Sequence, residues 1–220
     1  MTVTVGVPAD SAESVDRRSA VRVRKASALW VLIAGVVGLA AAATLLVEKL
    51  RILEDPDYVP SCSINPVLSC GSVMVTPQAE AFGFPNPLIG IVSFTVVVVT
   101  GALAVGNVAL PRWYWAGLAT GTLLGTAFVH WLIFQSLYRI GALCPYCMVV
   151  WAVTIPLLVV VASIALQPPL GNAIGSSRKR LIAPVAAFLY DWRWSLTAFW
   201  FTGLILMILV RFWDYWSTLV

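Results

Sequence analysis

Five long apolar runs divide this chain. Ala28 to Val47 holds about twenty apolar or small residues, enough for a helix to cross a ~30 Å hydrocarbon core. Leu88 to Leu110 and Trp115 to Leu137 supply the second and third runs, joined by a tight turn at Pro111, Arg112 and Trp113. Tyr138 to Leu143 then makes a short loop. Cys147 to Leu166 is the fourth run and Leu196 to Phe212 the fifth. Trp192, Trp194, Trp200, Trp213 and Trp216 sit near the ends of the fifth, as an aromatic interface belt does. The pattern predicts an all-α integral membrane protein with five spanning helices.

The polar segments between the runs set the organisation. Residues 1–26 lack apolar periodicity and end in the basic run RRSAVRVRK, which predicts a disordered cytoplasmic tail. A cleaved signal peptide is the competing reading of the first run, with Ala41 to Ala43 as a small-residue site. The run is longer than an h-region of roughly 7–15 residues, so an uncleaved first helix is expected. Residues 48–87 form a long loop containing Pro56, Pro60, Pro66, Pro77, Pro85 and Pro87. Within it, Val67 to Ala81 predicts a short surface helix whose Val67, Leu68, Val73, Met74 and Val75 face lipid or cap the bundle. Loops this long are usually functional or disordered. The expected units are the tail over 1–26, a four-helix bundle over 27–166 with its outer loop at 48–87, a cytoplasmic loop over 167–193, and a fifth helix with a short outer C-terminus over 194–220.

Composition supports the membrane reading. The 220 residues are 60% hydrophobic and 11% charged, against about 25% charged in a soluble domain. Mean hydropathy is +0.90. The net charge of +4 does not call for a nucleic acid, because its placement explains it. With the N-terminus in the cytoplasm, Arg17, Arg18, Arg22, Arg24, Lys25, Arg112, Arg178, Lys179, Arg180 and Arg193 lie inside, which is ten of the fourteen basic residues. Lys49, Arg51, Arg139 and Arg211 stay outside. This asymmetry predicts a multi-pass protein of the cytoplasmic membrane with its N-terminus in and its C-terminus out. It also puts all four cysteines on the extracytoplasmic face, although the cysteines played no part in the assignment.

Those cysteines are the candidate chemistry. Cys62 and Cys70 bracket CSINPVLSC in the outer loop, and Cys144 and Cys147 form CPYC at the start of the fourth span. Disulfides form and persist outside the cytoplasm, so two structural bridges are one reading, and it stays open for the first pair. It suits CPYC poorly, because a Cys-x-x-Cys bridge closes almost no chain and removes little unfolded-state entropy. A helix N-terminus instead stabilises a thiolate, and Pro145 suits an early helical position. Zinc is not expected, since structural zinc sites space each half by two to four residues and the first pair has seven between its cysteines. Thiol–disulfide exchange can pass electrons between the pairs, and a lipid-soluble quinone is the natural sink for a dithiol at the membrane face.

CSINPVLSC, FPNPLIG at 84–90 and CPYC together resemble the vitamin K epoxide reductase family, including its bacterial disulfide-forming homologues. The resemblance covers roughly residues 28–166. The order of the pairs fits this family better than the unrelated four-helix quinone-linked disulfide oxidase, whose CxxC comes first. It implies a four-helix bundle around a quinone (menaquinone or ubiquinone), capped by the first outer loop and joined by a fifth transmembrane helix as in bacterial members. Carried over by position, Cys62 forms the mixed disulfide with a partner, Cys70 attacks Cys144, and Cys147 is left as the thiolate that reduces the quinone. Asn86 matches the asparagine that hydrogen-bonds a quinone oxygen; a helix N-cap is its alternative. Where animal members carry a tyrosine four residues after the last cysteine, this chain has Trp151, an N–H donor only. Many bacterial members are fused to a thioredoxin-like domain. This chain stops at Val220, so the expected partner is a separate exported thioredoxin-fold oxidase, met at the membrane lipid surface.

The remaining candidates are weaker. His130, the lone histidine, falls in the third span and could relay protons to a quinone, or simply be a packing residue. Arg139 could stabilise a thiolate or snorkel to the interface. Gly117, Gly121 and Gly125 share one helix face and predict close helix packing. The RKR run at 178–180 reads as a topology signal. The expected function is thus a membrane thiol–quinone oxidoreductase that re-oxidises an exported disulfide-forming protein. The alternatives are a quinone epoxide reductase and a non-enzymatic membrane scaffold with bracing disulfides.

Overall fold

A computed structural model describes residues 20–55, 57–166, 188 and 191–218. Most of the expected tail, and the whole GSSRKR segment with its RKR run, lie outside those residues. Five long helices, each apolar enough to cross a membrane, carry the fold: α1 (Lys25–Glu54), α3 (Pro87–Val105), α4 (Arg112–Gln135), α5 (Pro145–Ala165) and α6 (Arg193–Arg211). Short pieces join them. They are β1 (Ala20–Val21), α2 (Cys70–Met74), a 3₁₀ turn at Pro77–Glu80, β2 (Leu110–Pro111), a π-turn at Ser136–Ile140, and α7 (Trp213–Trp216).

Several boundaries differ from those expected, each for a physical reason. The tail does not run to residue 26: Ala20 and Val21 pair antiparallel with Pro111 and Leu110, and α1 begins at Lys25. Its 30 residues extend about 45 Å, past the apolar run, because Glu48, Lys49, Leu50 and Arg51 are all good helix formers. α3 stops at Val105 rather than Leu110, where Gly106 and the left-handed Asn107 (φ 60°) end it. The surface helix expected over 67–81 is broken in two. Pro77 has no N–H and disfavours the helical region for the residue before it, and Thr76 is accordingly extended at φ −84°, ψ 152°. Of the apolar residues assigned to that helix, Val67 and Met74 are buried and Val75 is exposed.

α1 packs along α3 and α5, and α4 along α5. The α1–α3 seam is a backbone-close one. A Cβ built at Gly101 would lie 2.6 Å from the backbone N and Cα of Leu32, and one at Gly38 would overlap the edge of the Phe94 ring. At the end away from the cysteines the bundle is filled by Val31, Val97, Trp115, Leu157 and Val161. At the cysteine end Leu137, Leu143 and Trp151 meet Ile208 and Phe212 of the fifth span. Most of α6 faces outward, yet it is pinned at three heights. Trp194 meets Trp30 edge-on at 5.5 Å, Trp200 Nε1 donates to His130 at 2.8 Å, and Arg211 Nε donates to the Leu137 carbonyl at 2.9 Å.

Candidate active site

The outer loop is held on the bundle by main-chain bonds. Leu143 N–H donates to Val67 O at 2.7 Å and Ser69 N–H donates to Leu143 O at 2.9 Å, so Leu68 and Leu143 form a parallel bridge. Two residues past Leu68 comes Cys70, opening α2, and one past Leu143 comes Cys144, at the N-cap of α5. The bridge therefore sets two cysteines far apart in sequence side by side: their Sγ atoms are 3.1 Å apart. Asn65 supports the same loop, its Oδ1 accepting from Val67 N–H and Leu68 N–H.

Cys62 and Cys70 are joined as a disulfide, while Cys144 and Cys147 are free thiols. The sulfurs of Cys62, Cys70 and Cys144 all lie within 4.8 Å of one another. With two of them bonded, the group is arranged for exchange rather than as three thiolate ligands. Cys62, Cys70 and Cys144 are buried with Leu45 and Met74, and Cys147 packs against this cluster. Cys144 is held below its ordinary thiol pKa, chiefly by a hydrogen bond from the Cys147 thiol, against the opposing effect of burial. The Cys147 and Tyr146 N–H groups of the open first turn act in the same direction without making a capping hydrogen bond.

Cys147 also lines a cavity of about 560 Å³ between α3 and α4, within the range of small-molecule sites. Polar groups gather at its cysteine end: Lys49, Gln78, Asn86, Gln135 and Ser136. Its far end reaches Trp113 and Tyr114. Gly117, Gly121 and Gly125 face this space, and a Cβ at any of them meets nothing within 4 Å. The close packing expected of these three glycines is not found; they widen a slot instead. An apolar slot with a free thiol and hydrogen-bond donors at one end has the chemistry to take a quinone.

The other candidates divide. Trp151 is buried and lines the cavity. Asn86 lines it too, but its side chain turns back to its own loop: Nδ2 donates to Gln78 O at 2.7 Å and Oδ1 accepts from Ala81 N–H at 3.1 Å. It occupies the N-cap position of α3 without capping it, so the capping alternative fails. His130 is not brought to the cavity. Its Nδ1 meets Thr126 O at 2.8 Å and its Nε2 accepts from Trp200. Arg139 is exposed. Lys49, which the sequence offers only as one of four basic residues expected on the outer side, also lines the cavity. Its sequence signal is its place, two residues past the first apolar run.

Comparison with curated proteins gives no match. The model of the Vitamin K epoxide reductase family matches residues 29–162, a span that holds most of the first four long helices and both cysteine pairs. The chain therefore belongs to the Vitamin K epoxide reductase family, and is a membrane thiol oxidoreductase.

Proposed function

We propose that this protein re-oxidises an exported thioredoxin-fold disulfide-forming protein and passes the electrons to a quinone. The single observation that carries the reading is the 3.1 Å approach of Cys70 to Cys144, which links the loop disulfide to a dithiol whose second sulfur faces an apolar cavity. Two free thiols brace nothing, which favours exchange over a scaffold.

The exchange balances step by step. A partner thiolate attacks Cys62 of the Cys62–Cys70 disulfide, and Cys70 leaves as a thiolate. Cys70 attacks Cys144 of an oxidised Cys144–Cys147 pair, and Cys147 leaves facing the cavity. The second partner thiol resolves the bond to Cys62 and departs as part of a disulfide. Cys62 then attacks Cys70 and frees Cys144. The net result is an oxidised partner and the state seen here: a bonded loop pair and a reduced CPYC. A quinone held in the cavity would supply the two-electron sink, and Cys144 and Cys147 would give up two electrons and two protons as their bond re-forms. Trp151 and Asn86 would wall and orient that site, and His130 would serve the α4–α6 contact. Cys62 is 5% exposed, so the partner would meet it across the exposed Ile64 and Pro66 on the extracytoplasmic face.

The test is quinone reduction by the detergent-purified protein, with a dithiol reductant and a soluble menaquinone or ubiquinone analogue. Rapid reduction abolished by Cys144→Ala and by Cys147→Ala is the expected result. Equal slow rates in all three proteins would sink the reading and return the scaffold to first place.

A further inference from the structure

Lys49 has a place the thiol relay does not explain. It is 6% exposed, near the outer end of α1, and it lines the cavity. Among the described residues its ammonium has two partners, Met74 O at 2.8 Å and Glu80 Oε1 at 2.9 Å. An ammonium has three donors, so one is left for the cavity. Lys49 is also the one cationic side chain among the described residues lining that space. Leu45, one turn earlier on the same face, packs with Cys62, Cys70 and Cys144, and Cys147 lies against that group. Burying a cation is costly unless it is paired, and Glu80 supplies the pairing while its own side chain stays 40% exposed. A buried ammonium thus touches the cavity on one side and a water-reaching carboxylate on the other.

We propose that Lys49 is a catalytic acid: it donates a proton to the quinone oxygen nearest Cys147, and Glu80 is the route by which it is recharged. The proposal rests on the quinone reading above. As the Cys144–Cys147 bond forms, the two thiols lose two electrons and two protons. The quinone takes up both electrons and two protons, one from the Lys49 ammonium and one from a thiol. The remaining thiol proton restores Lys49 by way of Glu80 and water, so charge and atoms balance. A mere tie between α1 and the outer loop would need the contacts to Met74 and Glu80 but no approach to the cavity.

The experiment uses the full chain in detergent with CPYC pre-reduced, mixed with the same quinone analogue and quenched with a thiol-alkylating mass tag. Lys49→Ala and Lys49→Met should slow CPYC oxidation about 100-fold, the size of a general-acid contribution. Both should keep the Cys62–Cys70 disulfide and quench of tryptophan fluorescence by the analogue. Propylammonium should restore much of the rate in Lys49→Ala and none in wild type, and Lys49→Arg should retain part of it. Wild-type rates in Lys49→Met would overturn the proposal, as would slow oxidation that propylammonium cannot rescue or that comes with lost quinone binding. A wild-type protein that fails to pass electrons to the quinone overturns the underlying reading instead, so the two failures are distinct.

Discussion

Two sets of glycines do opposite things in this bundle. Gly38 and Gly101 lie under their neighbours, so that α1 and α3 touch backbone to ring and backbone to backbone. Gly117, Gly121 and Gly125 lie under nothing and open α4 to the cavity. Both sets give up side-chain volume on one helix face. In the first a helix takes the space, which lets van der Waals contact hold the seam in a solvent with no hydrophobic drive between helices. In the second the space is kept, and Cys147 borders a chamber.

The comparison can be broken from the seam side first. Gly101→Val sets a side chain against Leu32 main-chain atoms that cannot rotate away, and should cost about 3 kcal/mol, at the upper end for overpacking. Detergent thermal unfolding would measure it, and a stability equal to wild type would mean that the seam has slack. Gly121→Leu tests the slot. It should leave unfolding unchanged but lower quinone reduction about 10-fold, equivalent to ~1.4 kcal/mol. If it unfolds as Gly101→Val does, the stripe is a packing seam after all. The smallest effect is expected for Gly125→Ala, where relief of glycine's backbone entropy should stabilise by about 0.5 kcal/mol with quinone reduction intact.

What was legible in the sequence follows from what spacing encodes. The five apolar runs and the all-α membrane class depend on composition over a membrane's width, and both survive in the structure. The small-residue stripe at 117–125 was legible as a pattern but not as a use, because what fills the vacated volume is decided by another element. The continuation of α1 through Glu48 and Lys49 was missed since charge ends an apolar run without ending a helix. The apolar residues that suggest the loop helix all precede Pro77, and the helix stops before it. His130 suggests a proton relay because it is a lone ionisable group within a span. Its partner, Trp200, lies on a helix whose docking no local pattern announces. The adjacency of Cys70 and Cys144 was expected only through family resemblance. It arises physically from main-chain bonds between residues 67–69 and 143.

That bridge has a consequence for how the molecule can vary. Because Val67, Ser69 and Leu143 hold the two sulfurs together through amides and carbonyls, the junction is vulnerable to proline at 69 or 143, which would delete a donor, and the buried Val67 and Leu143 side chains and the Ser69 cap of α2 limit what else can stand there. Ile64 and Pro66, exposed between the loop cysteines, are outside that constraint. The surface there can therefore vary while the internal connection stays in register beneath it.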